Sequence, residues 1–375
     1  MDLITRFFDS FCRAAGPALR LAARFLACSA LAAAGCGGGG GSTPSGLAAQ
    51  SLSGPITASP DAWTWIDVPQ STCDDGSPTG FGVNPGTGPD LVVYFNGGGA
   101  CWDATTCLVD HFATHGPYGK AQFLASLPSL SGTILDRSLS NTPFATATLV
   151  DIPYCTGDLH AGNNVASYVE PNGTTYSYHH TGHANALAFL ARIAVTWPSP
   201  RKLIIVGSSA GGFGALMNYD SYRSSFHPGA AYLIDDSGPP LPNGLLAASI
   251  LSDLYANWNL GALLDPLCNC RNGFEPLMKT LIERYPNDRM SLLSSEQDNV
   301  ISAYFQLSAT QFQLALSQIT VEVLKPAVNA RYFLVPGGTH DMLSDPALFT
   351  EKVPLVTWLN QQVVNDPLWI NESSP

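Results

Sequence analysis

The stretch Lys202-Leu-Ile-Ile-Val-Gly207-Ser208-Ser209-Ala210-Gly211-Gly212-Phe213-Gly214 constrains this chain more than any other. An aliphatic run leads into Gly-x-Ser-x-Gly, and small residues suited to a helix start follow. A buried strand, a sharp turn and a helix account for that order. A serine at such a turn sits in a strained backbone conformation, so its neighbours have to be small. Gly207 and Gly211 let backbones approach, and Ala210 intrudes little. The helix N-terminus then offers free N–H groups to a developing negative charge. Ser209 is the expected nucleophile. Ser208, at the x position, is expected to point away from the cleft.

A serine hydroxyl needs a base, and the base needs an orienting acid. After a turn of this kind the order along the chain is serine, acid, histidine. Of the eight histidines only His227 and His340 follow Ser209. His227 lies in the surface-like turn Ser-Ser-Phe-His-Pro-Gly. His340 follows the apolar run 330–335 and two glycines, and is the expected base. Asp298, just after the strand-like run 290–295, is the expected acid. Asp235 and Asp236, after the run 230–234, are the alternatives, and Glu296 is a near neighbour. Asp341 adjoins the base and cannot easily face its ring. A further apolar run, 91–95, reads as a buried parallel strand and enters Asn96-Gly97-Gly98-Gly99-Ala100. Backbone N–H groups of Gly98 or Gly99 are expected to join that of Ala210 in an oxyanion hole.

The rest of the chain alternates strand and helix signals. Residues 63–90 suggest irregular structure with short edge strands. Helix is expected within 120–142, over 181–196, after Gly211 to about 222, and over much of 243–286 with a break near 267–271. Strands are expected at 145–152, 230–234, 290–295 and 330–335. Residues 308–325 are amphipathic, and a closing helix is expected over 346–364. The segment 243–286 is a candidate cap over the cleft. The fold class is therefore α/β, a mostly parallel central sheet with helices on both faces. Loops at the strand C-terminal ends converge on one cleft, which makes Asp158 and His160 candidates for substrate contact. His179, His180 and His183 gather near the start of the 181–196 helix without carboxylates at ligand spacing. A loop packed under the site is expected there, not a metal centre.

The N-terminus resembles an export signal over 1–35. Arg6, Arg13, Arg20 and Arg24 precede the short apolar run 25–35, which ends at Cys36 before five glycines. Small residues before a cysteine followed by a Gly/Ser/Pro tether, 36–60, resemble a bacterial lipoprotein signal, which implies acylation of Cys36. The expected catalytic domain spans 61–368. The formal net charge of −12 becomes −14 without 1–35, from 13 basic and 27 acidic side chains. No basic stripe exists to neutralise phosphates, so nucleic acid is not an expected partner. Six cysteines follow Cys36, an even number suited to disulfides in an exported chain. Cys268 and Cys270 form the only close pair with no histidine nearby, so no zinc site and no cofactor are expected.

Together these segments resemble the pectin acetylesterase and Notum family of secreted carboxylesterases. The resemblance rests on Thr72-Cys73-Asp-Asp-Gly-Ser-Pro-Thr-Gly-Phe81, Asn96-Gly-Gly-Gly-Ala-Cys101-Trp102 with Cys107, and Ile152-Pro-Tyr-Cys155-Thr-Gly-Asp158. It continues in Gly207-Ser-Ser-Ala-Gly-Gly212, Asp236-Ser-Gly238 and the surroundings of Asp298 and His340. It implies an α/β-hydrolase core, a Ser209–Asp298–His340 triad, and disulfides Cys101–Cys107 and Cys73–Cys155. It leaves Cys268 and Cys270 unplaced, since a bond between them closes a very small ring. Two positions depart from the family pattern. Asn96 stands where an acid is usual, and the tryptophan usual near Ala100 is displaced to Trp102, a further candidate for substrate contact along with His180. The expected function is an exported serine esterase acting on O-acetyl groups of a polysaccharide or other short acyl esters. The alternatives are a polyhydroxyalkanoate depolymerase or longer-chain acyl esterase, a serine peptidase, and a non-catalytic carbohydrate-binding surface protein.

Overall fold

The computed structural model describes residues 54–139, 141–350 and 352–373. The expected signal segment 1–35 and Cys36 lie outside the described residues. The apolar runs of the sequence become the centre of a nine-stranded sheet. Its strands are β1 (Thr64–Thr72), β2 (Pro78–Asn84), β3 (Leu91–Phe95), β4 (Thr148–Ile152), β7 (Lys202–Ser208), β8 (Ala230–Asp236), β9 (Arg289–Ser295), β10 (Ala330–Val335) and β11 (Glu372–Ser373). Their spatial order is β1-β2-β4-β3-β7-β8-β9-β10-β11. From β4 to β11 every neighbour pairs parallel, while β1–β2 and β2–β4 are antiparallel. The expected α/β class, with a mostly parallel sheet, holds.

Period-two alternation divides the central strands between two cores. Leu91, Val93 and Phe95 of β3, Leu203 and Ile205 of β7, and Leu233 of β8 face the larger core. Val92, Ile204, Val206, Tyr232 and Ile234 face the other. Both faces must therefore be covered, as near-continuous apolar strands require. The larger core takes helices α2 (Gly182–Thr196), α3 (Ala210–Ser225), α4 (Ala248–Asn257), α6 (Glu275–Arg284) and α8 (Ala309–Ile319), with α5 (Gly261–Leu264). The second core takes α9 (Leu355–Val363), through Leu355, Trp358, Leu359 and Val363. Two shorter helices, α1 (Lys120–Ser126) and α7 (Asn299–Tyr304), complete the set among the described residues.

Several expectations need correction. Residues 63–90 hold the expected edge strands, but as a longer antiparallel pair, β1 and β2, with a shift in register between Val68 and Thr72, not as mainly irregular structure. The closing helix begins at Leu355, because Phe349 and Pro354 bridge across a loop before it. A hairpin of β5 (Asn164–Val169) and β6 (Thr175–His180) stands outside the main sheet. The segment 243–286 does not cap the cleft. Its Leu254, Trp258, Leu264, Phe274 and Leu281 are buried in the larger core. The Trp258 indole N–H donates to Cys101 O (3.0 Å) and Asn257 Nδ2 to Trp102 O (2.7 Å), so the segment supports residues 101–102 from behind.

Among the described residues three disulfides are present: Cys73–Cys155, Cys101–Cys107 and Cys268–Cys270. The last joins the two cysteines that the resemblance left unplaced. Loop closure separates their contributions. Cys73 and Cys155 are 82 residues apart, Cys268 and Cys270 only 2. Chain entropy alone assigns roughly 4.5 kcal/mol to the first and roughly 1.6 kcal/mol to the second. Replacing Cys73 and Cys155 by serine is expected to lower the urea midpoint by far more than replacing Cys268 and Cys270. Equal midpoints for the two double variants would contradict this.

Candidate active site

Strands β3, β7, β9 and β10 deliver the site residues to the C-terminal edge of the sheet, with β8 between β7 and β9. β7 ends at Ser208 and α3 begins at Ala210, so Ser209 alone makes the turn. Its φ is 60° and ψ −123°, a left-handed conformation that a non-glycine residue adopts only when its surroundings impose it. The Ser209 N–H donates to Asp236 O at the end of β8 (2.8 Å), and Ser209 O accepts from Gly212 N (2.9 Å). The glycines are sterically required. A Cβ on Gly211 would lie 1.9 Å from Phe95 O, and one on Gly207 2.0 Å from Gly211 O.

Beside β7, the β3 strand runs into Gly97–Gly99. Gly98 and Gly99 have φ of 152° and 78°. Thr114 N donates to Gly98 O (2.7 Å), and Ala100 N to Phe112 O (3.2 Å). These bonds pin the loop without using the N–H groups of Gly98 and Gly99. Among the described residues those two groups, and the N–H of Ala210, have no acceptor in the protein.

His340 and Asp298 come from the ends of β10 and β9. Asp298 caps α7: its Oδ1 accepts from Val300 N (2.9 Å) and Ile301 N (3.0 Å). This fixes the carboxylate and leaves Oδ2 for His340 Nδ1 at 2.8 Å. A carboxylate only accepts, so Nδ1 carries the proton and Nε2 is left as the acceptor. Nε2 is buried and has no partner in the protein. Burial pulls the imidazole pKa down, but the bond to Asp298 and its charge, with Asp236 and Asp341 behind, raise it above the usual value on balance. The other carboxylates considered for this position do not bond the ring. Glu296 accepts from Gln313, Asp341 contacts Ser208, and Asp235 accepts from Gly238 N. His227 lies in the turn after α3, with its N–H on Pro198 O. The Ser209 hydroxyl and His340 Nε2 are not bonded to each other.

A small apolar pocket opens at Ser209. Gly99, Ala100 and Ala210 line one side, and Leu159, Phe213, Ile301, Tyr304 and Phe305 the rest. Ile301, Tyr304 and Phe305 stand at i, i+3 and i+4 from α7 into the residue after it, so one turn presents them together. Tyr304 Oη donates to Phe112 O (2.6 Å), which ties this wall to the glycine loop. That spacing was visible in the sequence, although nothing there connected it to the site.

Four expected substrate contacts are corrected. Trp102 is buried in the larger core. Asp158 is fully buried, accepting from the Thr156 hydroxyl (2.7 Å), Gly182 N (2.7 Å) and Gly162 N (3.1 Å). Burial pushes its carboxyl up to about 6, against those bonds. His160 turns its Nε2 to Asn96 O (2.9 Å) and stacks among Phe95 and Tyr154. Burial holds it down at about 4. His180 has both ring nitrogens taken, by Thr156 O (3.0 Å) and Tyr168 Oη (2.9 Å). Asp158 and His180, whose polar atoms are all satisfied inside the protein, have nothing to offer a ligand. Leu159, between Asp158 and His160, is the residue that reaches the pocket. Asn96 donates to Asp151 Oδ1 (2.7 Å) and Ile152 O (2.9 Å). An acid at position 96 would set a second carboxylate against buried Asp151. Among the described residues one group, Cys101, Cys107 and His180, brings potential metal ligands together, but its sulfurs are joined in a disulfide.

The profile of the pectinacetylesterase family matches residues 62–240. Over those residues the chain is similar to that family. Palmitoleoyl-protein carboxylesterase NOTUM of Schmidtea mediterranea is 28% identical over 165 residues, 41% of this chain and 29% of the relative. NOTUM of Mus musculus is 26% identical over 151 residues, 40% of this chain and 29% of the relative. The aligned part thus spans under a third of these relatives. Two crystal forms of the Wnt deacylase Notum from Drosophila cover 82% of this chain and 96% and 95% of their own, at 18% and 19% identity. Their TM-scores are 0.57 and 0.58, and the shared fold is the α/β-hydrolase fold.

Two predictions follow from the geometry. Asp298→Asn is expected to lower the His340 pKa, read by NMR titration of the imidazole. With the wild-type value raised on folding, the pair's contribution to stability is full below the unfolded pKa of about 6.5 and lost as pH rises through the folded value. An unchanged pKa in the variant would contradict the coupling. Gly211→Ala is expected to cost at least about 1–3 kcal/mol in urea unfolding, because Phe95 O cannot yield without moving β3.

Proposed function

We propose that this chain is a serine esterase that hydrolyses carboxylic esters through an acyl-enzyme on Ser209. The observation that carries the reading is Ser209 at φ 60°, on an apolar pocket beside unpaired backbone N–H groups. In this reading His340 Nε2 takes the Ser209 proton as the hydroxyl attacks the ester carbonyl. The C–O bond to the alcohol breaks, and His340 returns the proton to the leaving oxygen. Water then attacks the acyl-enzyme by the same route in reverse. Asp298 keeps the imidazole in the required tautomer and offsets its charge. Ala210 N–H with that of Gly98 or Gly99 stabilises the tetrahedral oxyanion. The Ser209–His340 bond is one that can form only as substrate binds.

The aromatic walls Phe213, Tyr304 and Phe305 favour a short acyl group, such as the O-acetyl groups of a polysaccharide. The names of the relatives favour the second reading, a longer acyl chain. The three disulfides support an exported protein. Lipid attachment at Cys36 belongs to the same proposal, and mass spectrometry of the mature N-terminus tests it.

The decisive experiment is hydrolysis of p-nitrophenyl esters from acetyl to dodecanoyl. Rates are expected to fall steeply beyond butyryl, and Ser209→Ala to lose at least ~10³-fold. A maximum on long chains would replace the short-acyl reading with the second one. No Ser209-dependent hydrolysis of any ester would overturn the esterase reading.

A further inference from the structure

The segment just after His340 is held by groups the proposed reaction does not use. Ser208, the residue before Ser209, pairs in register with Asp236 of β8. Its Oγ lies 2.5 Å from Asp236 Oδ2 and 2.6 Å from Asp341 Oδ1. A hydroxyl has one proton and can donate to only one of two ionised carboxylates. The other contact, at this length, needs a proton on a carboxyl group. The three side chains therefore hold one proton more than two ionised aspartates would, shared through Ser208.

This cluster anchors the segment that follows the histidine. Asp236 Oδ1 accepts from Met342 N (3.0 Å) and the Ser237 hydroxyl (2.9 Å), and Oδ2 from Leu343 N (3.0 Å). Ser237 Oγ in turn accepts from Asp341 N (3.1 Å). Asp341 sits at φ 64°, a left-handed conformation that these bonds hold in place. The groups that face the cluster are Tyr94 of β3, Asp151 of β4, Asp235 of β8 and His340. His340 is the only one of them able to carry a positive charge.

We propose that Ser208, Asp236 and Asp341 form a proton-sharing clamp that positions His340, and that the clamp opens when the shared proton is lost. These are positioning residues, and the inference rests on the reading of His340 as the base. Burial, reinforced by the charge of Asp341, pushes the Asp236 carboxyl up to about 7. A proton held by the folded protein and lost above that range leaves two carboxylates opposed across Ser208. The expected consequence is a fall in kcat on the alkaline side.

The test is the kcat profile on p-nitrophenyl acetate from about pH 6 to about pH 10, for wild type, Asp341→Asn and Asp236→Asn. Asparagine tolerates the left-handed backbone at 341, and its amide can donate to Ser208 with no shared proton. Asp341→Asn is expected to remove the alkaline fall or move it up by at least about one pH unit, with KM unchanged. Asp236→Asn is expected to lower kcat about 10²-fold at constant KM, the scale of a displaced catalytic group. Hydrogen exchange of residues 340–344, corrected for intrinsic rate, gives a readout independent of activity. Protection in wild type is expected to fall at alkaline pH and to persist in Asp341→Asn. Ser208→Ala, which removes the bridging hydroxyl at a small site, is expected to abolish the pH dependence of protection. An active wild type whose alkaline limb and exchange both match those of Asp341→Asn would overturn the clamp and leave the esterase reading intact. A wild type inactive on esters, with exchange behaving as expected, would sink the esterase reading and keep the clamp.

Discussion

The close approach of β7, its turn and α3 to the ends of β3 and β8 is the constraint on which the site depends. Ser209 is forced to φ 60° because backbone, not side chain, fills the space around it. A left-handed non-glycine residue costs about 1–3 kcal/mol. The cost is outweighed locally. Phe213, Leu216, Met217 and Tyr219 of α3 are essentially fully buried, and each contributes about 1.5–3 kcal/mol. The Ser209 N–H also finds Asp236 O, so the strained residue leaves no orphaned donor on its own nitrogen. Any side chain at Gly207 or Gly211 would separate the strand from the helix and release the turn.

That same approach explains why the loop at 97–99 is glycine-rich. A Cβ on Gly97 would lie 2.7 Å from Ser208 O, and one on Gly99 2.3 Å from Tyr304 Oη. The loop is wedged between the elbow and α7, and only its backbone fits. Its rigidity comes from behind: Cys101–Cys107, the Trp258 indole and the Asn257 amide hold residues 101–102. N–H groups fixed before substrate arrives need no reorganisation when charge develops, which is where electrostatic stabilisation gains its strength.

The elements carried by long apolar runs were legible in the sequence, because burial on both faces leaves little room for polar residues. The runs at 91–95, 202–206 and 230–234 are such cases, and the chain order of Ser209, Asp298 and His340 pointed to one sheet edge. The β5–β6 hairpin was not legible. Its residues alternate between a small satellite core and solvent, with Ala166, Tyr168 and Tyr178 inside, so no continuous run marks it. The polar candidates misled for a related reason. Asp158, His160 and His180 follow strand ends as pocket residues do, yet their partners are Gly182, Asn96, Thr156 and Tyr168, contacts set by tertiary packing. Sequence position placed them near the site, but not which way they turn. The pocket walls were missed because apolar residues spaced i, i+3 and i+4 mark any buried helix face equally well.

The distribution of charge gives the sheet edge its directionality. Asp151, Asp235, Asp236 and Asp298 are all buried near the C-terminal ends of β4, β8 and β9, and the basic side chains lie elsewhere. So many ionised carboxylates cannot share a low-dielectric region. The arrangement resolves this by unequal treatment. Asp298 receives two backbone N–H bonds and the imidazole. Asp235 has one oxygen without a partner, and burial, with Asp236 beside it, pushes its carboxyl well up. Asp236 lies between, with four donors around it and a proton shared with Asp341 through Ser208. The net effect is a field in which a positive charge on His340 is favoured. In the proposed reaction that charge appears when His340 takes the Ser209 proton, so carboxyls that never touch substrate still lower the barrier. They do so only while His340 stays where Asp298 and Asp236 together hold it.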